Sequence, residues 1–251
     1  MNNIDLTLKE IFMSTTLTKL QKILHAEKIL TEKLDIETTN TELYFQLAVV
    51  VLEEPEVDFI QSIECTEKIL TYDKTNIEAA IFLSWLQYFN RGYVNSSTLM
   101  VLDNLLTNVE MDSLSTSLIY LAKSWSYGID EEQYHTFLKK SVESNGTYVD
   151  NCLELANFYR NKGESDKEKS LIRKAFKNIE KIYRVDESFD IAVVEPYLGD
   201  DFKGMIDLPT NYVPTYYMVK KESILRTVLA SNAVNSMLER LSDSDQWEVL
   251  L

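Results

Sequence analysis

The sequence predicts an all-α fold of stacked helical hairpins, and three observations carry that prediction. Six Gly and four Pro in 251 residues are too few turn residues for the many tight turns of a sandwich or barrel. Apolar residues recur at helical period through most of the first 180 positions. Blocks of sequence also recur at steps of 34 to 40 residues, the mark of one supersecondary unit used several times.

The elements follow in chain order. Thr16 to Leu30 reads as an amphipathic helix and a capping element. Glu27-Lys28-Ile29-Leu30-Thr31 recurs 40 residues on as Glu67-Lys68-Ile69-Leu70-Thr71. After each copy comes a Thr-Asn pair, Thr39-Asn40 or Thr75-Asn76, with Glu42 or Glu78 two residues later, and each pair opens an apolar helix. These opening helices align through Leu47-Ala48, Leu83-Ser84, Leu121-Ala122 and Leu155-Ala156, at steps of 36, 38 and 34 residues. A second packing residue follows in each, Val51, Gln87, Trp125 and Tyr159, on the same helical face. The small residues let two helices approach closely. Second helices are predicted over Phe59 to Tyr72, Ser97 to Leu106, Glu132 to Ser144 and Asp166 to Ile179. Polar breaks at Asp73 to Asn76, Asn108 to Ser113 and Asn145 to Gly146 separate the units, and Gly92 and Gly163 suit turns inside hairpins.

Between residues 40 and 180 the pattern resembles the tetratricopeptide repeat family, whose units are helical hairpins of about 34 residues. Leu118 to Tyr148 matches best, with Leu118, Leu121, Ala122 and Trp125 filling the first-helix signature. Cys152 to Ile179 carries Leu155, Ala156, Tyr159, Gly163, Ile172 and Ala175. The chain departs from the family in three ways: no proline closes a unit, the first two steps are long, and Gln87 stands where a large apolar residue is expected. The resemblance implies a right-handed α-solenoid of stacked antiparallel helix pairs, with a concave face built from the first helices. Carried over by position, that face holds Phe45 and Val49, then Ile81, Trp85, Tyr88 and Phe89, then Ile119, Lys123 and Tyr127, then Asn157, Arg160 and Asn161. Such a groove would take an extended or helical segment, its apolar residues on Trp85 and Tyr88 and an acidic group on Lys123 and Arg160. The family's two-charge clamp for a terminal carboxylate is missing at the matching positions, so a chaperone co-factor is not expected.

Three segments are expected: N-terminal helices forming a cap over 1–36, the repeats over 37–182, and an irregular acidic segment plus a C-terminal helix over 183–251. Pro196, Pro209 and Pro214 fall in the last of these, among Asp186, Glu187, Asp190, Glu195, Asp200, Asp201 and Asp207 and four aromatic residues. A helix from Val219 to Leu241 would cap the final hairpin. Asp200 and Asp201 lack the spaced oxygen ligands and the glycine of a calcium loop, so no metal is expected.

Forty acidic against 25 basic side chains give a net charge of −15, a field that repels phosphate backbones and anionic lipid and attracts a basic protein. Nucleic acid and membranes are therefore excluded as expected partners. Cys65 and Cys152 are spaced for neither a disulfide framework nor a zinc site and read as buried apolar residues. No secretory signal is visible, and the longest apolar run, Leu47 to Leu52, is far short of a membrane span, so a cytoplasmic location is expected. Only His25 and His135 are present, without a nucleophile elbow, phosphate loop or dinucleotide fingerprint, which argues against an enzyme or a cofactor. The expected function is a protein-interaction module, an adaptor or scaffold whose groove binds a partner polypeptide. The competing reading is an immunity protein that covers the active site of a basic toxin or nuclease; charge-driven inhibition would weaken steeply with salt, groove capture would not.

Overall fold

Among the described residues, six helices of this chain start where a short polar side chain takes over N–H groups that a first turn leaves unbonded. A computed structural model describes residues 14–52, 57–145 and 149–171, together with Ile4, Thr7, Leu8, Glu10, Ile11, Arg173 and Lys174. Thr18 opens α1 (Lys19–Leu34) with a reciprocal capping box: its hydroxyl accepts the Gln21 N–H at 3.2 Å, and the Gln21 side chain accepts the Thr18 N–H at 2.9 Å. Asn40 caps α2 (Thr41–Val50), Asp58 caps α3 (Phe59–Tyr72), Asn76 caps α4 (Ile77–Arg91), Asn95 caps α5 (Ser96–Asn108) and Asp112 caps α6 (Ser113–Ser124). Then follow α7 (Glu132–Ser144) and α8 (Val149–Asn161). The two repeated Thr-Asn pairs thus place asparagine at N-cap positions, each worth about 1 kcal/mol of helix stability.

Two of the predicted second helices, Phe59–Tyr72 and Glu132–Ser144, have the expected bounds. The helix expected over Thr16–Leu30 runs over Lys19–Leu34, because the capping box sets its start at Thr18. Val51 and Trp125, read as late first-helix residues, are the C-caps of α2 and α6. Gly92 ends α4 with φ +78°, a left-handed conformation that costs a Cβ-bearing residue energy, and its N–H bonds the Tyr88 carbonyl at 2.7 Å. The acidic stretch 186–214, the Val219–Leu241 helix, Ile172 and everything from Ala175 onward lie outside the described residues.

Among the described residues there is no strand. One compact unit runs to Val109 and a second starts at Glu110. In the first, α1 packs on α2, α2 on α3, α3 on α4 and α4 on α5; in the second, α6 packs on α7 and α7 on α8. Each helix leans mainly on its chain neighbours, which is how stacked hairpins hide their apolar faces. Leu30, Ile69, Leu86, Leu102 and Leu105 fill the first core, and Ile119, Leu121 and Leu138 the second. Ala48, Ser84, Ala122 and Ala156 are all fully buried, and at Ala48 the approach is close enough for the Ser62 hydroxyl of α3 to donate to the Ala48 carbonyl at 2.7 Å. Cys65 and Cys152 are buried and unpaired, as their spacing implied.

The second core contains a polar clip. The Ser117 hydroxyl donates to the Ser141 carbonyl at 2.8 Å, and the Ser141 hydroxyl returns the bond to the Ser117 carbonyl at 2.6 Å. From α8, the Asn151 amide reaches the Ser117 hydroxyl oxygen at 3.0 Å, that of Ser141 at 3.1 Å and the Asn145 carbonyl at 3.2 Å. Three helices are joined by it, and Ser117, Ser141 and Asn151 are fully buried.

Candidate functional site

Positions 82, 85 and 89 of α4 lie on one helical stripe, and the structure turns that stripe into a ladder of rings. Phe45 of α2 meets Phe82 with centroids 5.4 Å apart, Phe82 stacks on Trp85 at 5.9 Å and 10°, and Trp85 meets Phe89 at 4.7 Å. The ladder climbs from core to surface: Phe45 is 2% exposed, Trp85 half-buried and Phe89 53% exposed. This gradient follows from packing. Residues 79–84 of α4, which packs on α3 and α5, are all buried; beyond them Leu86 and Gln87 stay buried while the face carrying Trp85, Tyr88 and Phe89 opens. Tyr88 is half-buried and Tyr93, just past Gly92, is exposed. Val49, on α2, is half-buried, whereas Ile81 belongs to the core. The Trp85 indole N–H is enclosed without a hydrogen-bond partner.

Gln87, the polar departure in the repeat pattern, has a structural task. It is buried, and its carbonyl oxygen accepts the N–H of Asn95, the residue that caps α5, at 3.1 Å.

In the second unit the expected site residues are placed differently. Ile119 is fully buried. Lys123 is 7% exposed, with its ammonium 4.4 Å from the Phe137 ring centre. Tyr127, half-buried, stacks on the same ring at 5.6 Å, and Lys140 lies 5.6 Å from it and from Tyr120. Arg160 pairs through Nε with Glu168 at 2.5 Å, while Asn157 is half-buried and Asn161 exposed. The structure therefore joins Phe45, Trp85 and Phe89, and it sets Lys123 and Arg160 against groups of their own unit.

The TM-scores, about one half, belong to a likeness carried by structure, since no protein-family model and no curated protein matches the sequence. The chain is similar to the MamA RS-1 ArsTM double mutant, with a TM-score of 0.50 and 14% identity, covering 74% of this chain and 99% of that one. A crystal structure of MamA protein gives 0.50 and 14%, over 74% of this chain and 97% of that one. MamA is a TPR-like helical repeat protein. The fold is TPR-like. In TPR-like terms α2, α4, α6 and α8 are first helices, so the Phe45 to Phe89 ladder runs along first helices of the first unit.

His135 completes the picture of groups with chemical potential. It stacks on Phe158 at 3.8 Å and 11°, with Tyr159 edge-on at 5.7 Å, and Lys162 and Lys167 sit over those two rings. Burial, then the nearby Lys162 and Lys139, hold its pKa below the ordinary histidine value. The arrangement is a packed ring cluster. Among the described residues no group of three or more His, Cys, Asp or Glu could hold a metal ion, and no helix is long and apolar enough to cross a membrane. Burial pushes the Cys65 thiol up to about 12 and the Cys152 thiol up to about 11, so both stay protonated. The reading of the sequence missed Phe82, although its spacing from Trp85 and Phe89 is helical. It also missed Phe137 and the serine-asparagine clip, which no local pattern announces.

Proposed function

We propose that this chain is a polypeptide-binding module, an adaptor rather than an enzyme, and that its partner docks on Trp85, Tyr88 and Phe89 with Val49 at the edge. One observation carries the reading: a ladder of rings anchored in the core ends in an exposed phenylalanine on a first helix. An aromatic side chain offers roughly 150–250 Å² of surface, so covering the exposed half of Phe89 is worth about 2 kcal/mol at about 25 cal/mol per Å². Because Trp85, Phe82 and Phe45 brace the ring, docking costs little side-chain entropy. Surface anchors of this type, rigid and aromatic, are the ones that dominate protein interfaces.

The test is a photo-crosslinking amino acid at position 89, compared with the same group at position 100, where Met100 is 72% exposed on α5. Irradiation in an extract of the source cells should yield a discrete cross-linked polypeptide from position 89 and not from 100. If 89 captures nothing, or the same set as 100, docking at this surface is wrong.

A further inference from the structure

Resting on the docking surface just proposed, we infer that its occupant is cationic: the partner lays a lysine or arginine side chain against the Trp85 and Phe89 rings. The contrast between the two units points there. In the second unit the chain lids its own rings with cations, Lys123 on Phe137 at 4.4 Å, Lys162 on Phe158 at 4.3 Å, Lys167 on Tyr159 at 4.9 Å and Lys140 on Tyr120 at 5.6 Å. In the first unit no lysine or arginine among the described residues lies over Trp85 or Phe89, although the Phe89 ring is half open to solvent. Among the described residues these rings meet no cation, and their negative faces suit one from another molecule.

Charge around the rings agrees. The two helices that carry the ladder hold the acids Glu42 and Glu78 and a single base, Arg91. Glu78 precedes Trp85 by seven positions and Phe89 by eleven, so it heads the same helical stripe. Arg91 follows Phe89 by two positions and projects from the opposite side of the helix. Phe89 also stands in the last turn of α4, at the negative end of the helix dipole, where a cation is favoured and an anion is not. The whole chain carries a net charge of −15, which brings basic segments to it. A partner presenting a carboxylate here would meet the helix end and the net charge of the chain with the wrong sign.

The probe is a pair of 12-residue synthetic peptides alternating leucine with arginine, or leucine with citrulline, the neutral isostere. Binding to the full ¹⁵N-labelled chain is followed on the Trp85 indole signal, assigned by Trp85→Phe. The variants are Phe89→Leu, which keeps every charge but removes the ring, and Phe89→Tyr, which keeps the ring. We expect the arginine peptide to shift the Trp85 signal and to bind tighter than the citrulline peptide. That preference should shrink by about 2- to 5-fold in Phe89→Leu and survive in Phe89→Tyr, the size of one exposed cation–ring contact. An arginine preference equal in Phe89→Leu and the native chain would mean that charge acts only at long range, and the inference falls. It falls too if the citrulline peptide binds as well, or if the Trp85 signal does not move. None of these results touches the cross-link from position 89, which judges the docking surface by itself.

Discussion

Ser117 and Ser141, each replaced by alanine alone and then together, measure how the clip in the second unit holds α6, α7 and α8. The Asn151 amide has two hydrogens and three acceptors, the two serine hydroxyl oxygens and the Asn145 carbonyl. Either single change removes one acceptor and leaves two, so no amide hydrogen is orphaned. The lost serine hydroxyl takes its own donated bond with it, for a net cost of roughly 1–2 kcal/mol. The double change leaves one acceptor for two buried hydrogens, and an unsatisfied buried donor costs roughly 1–3 kcal/mol beyond the two single effects. The double variant should thus lose more stability than the singles summed, by that margin.

Urea unfolding followed by far-UV circular dichroism reads the effect as midpoint shifts at constant slope. A third change sharpens the result. Asn151→Leu on the double alanine background removes the stranded amide and should recover part of the excess loss, the rest going with the bond the amide gave the Asn145 carbonyl. The amide oxygen of Asn151 is already buried without a partner, which adds to that recovery. Additivity of the two serine changes within about 0.5 kcal/mol would refute the hydrogen-bond count.

Other outcomes follow from the same structure. His135 is held neutral, its pKa below the ordinary 6.5, so the unfolded chain takes up protons first as pH falls. Its contribution to stability should be whole above pH 6.5 and decline below that value until the folded-state pKa is passed; His135→Phe should lose this slope in unfolding midpoints measured on both sides of pH 6.5. Cys65 and Cys152, with thiols raised to about 12 and about 11, should resist iodoacetamide in the native chain and react once urea exposes them, so fast native labelling of either contradicts their burial. Gly92→Ala places a Cβ where nothing lies within 4 Å but φ is +78°, so the cost is backbone strain alone, about 1 kcal/mol, partly recovered in Gly92→Asn and visible as a lower melting temperature.

Helix positions were legible because their signals are local. The Asn40 and Asn76 caps, the bounds of α3 and α7 and the turn at Gly92 all follow from residues within a few positions of one another. Depth was not. Helical spacing puts Phe45, Ile81 and Ile119 on a chosen stripe, but whether that stripe meets solvent or a neighbouring helix depends on packing, and all three are in the core. Phe89 has the same helical spacing and is 53% exposed. The clip was illegible for a different reason: Ser117, Ser141 and Asn151 lie 24 and 34 positions apart, and a small polar residue inside a helix carries no period of its own.

The internal use of Lys123 decides which substitutions can report on binding. A carboxylate at that 7% exposed position would face the Phe137 ring, whose quadrupole repels it, and partial burial of an ill-matched charge costs several kcal/mol. Loss of a partner in Lys123→Glu would then follow from a loosened α6–α7 contact as readily as from a lost salt bridge. Arg160→Ala suffers likewise, because it strips Glu168 of its guanidinium. Lys123→Met keeps the buried stem and removes only the charge, so its stability should change by no more than about 1–2 kcal/mol. If Lys123 serves the hairpin alone, Lys123→Met captures the partner at native strength while Phe89→Ala, with an unfolding midpoint close to native, does not. The opposite pair of results, binding lost in Lys123→Met at unchanged midpoint and kept in Phe89→Ala, would move the partner's contact from the first unit to the second.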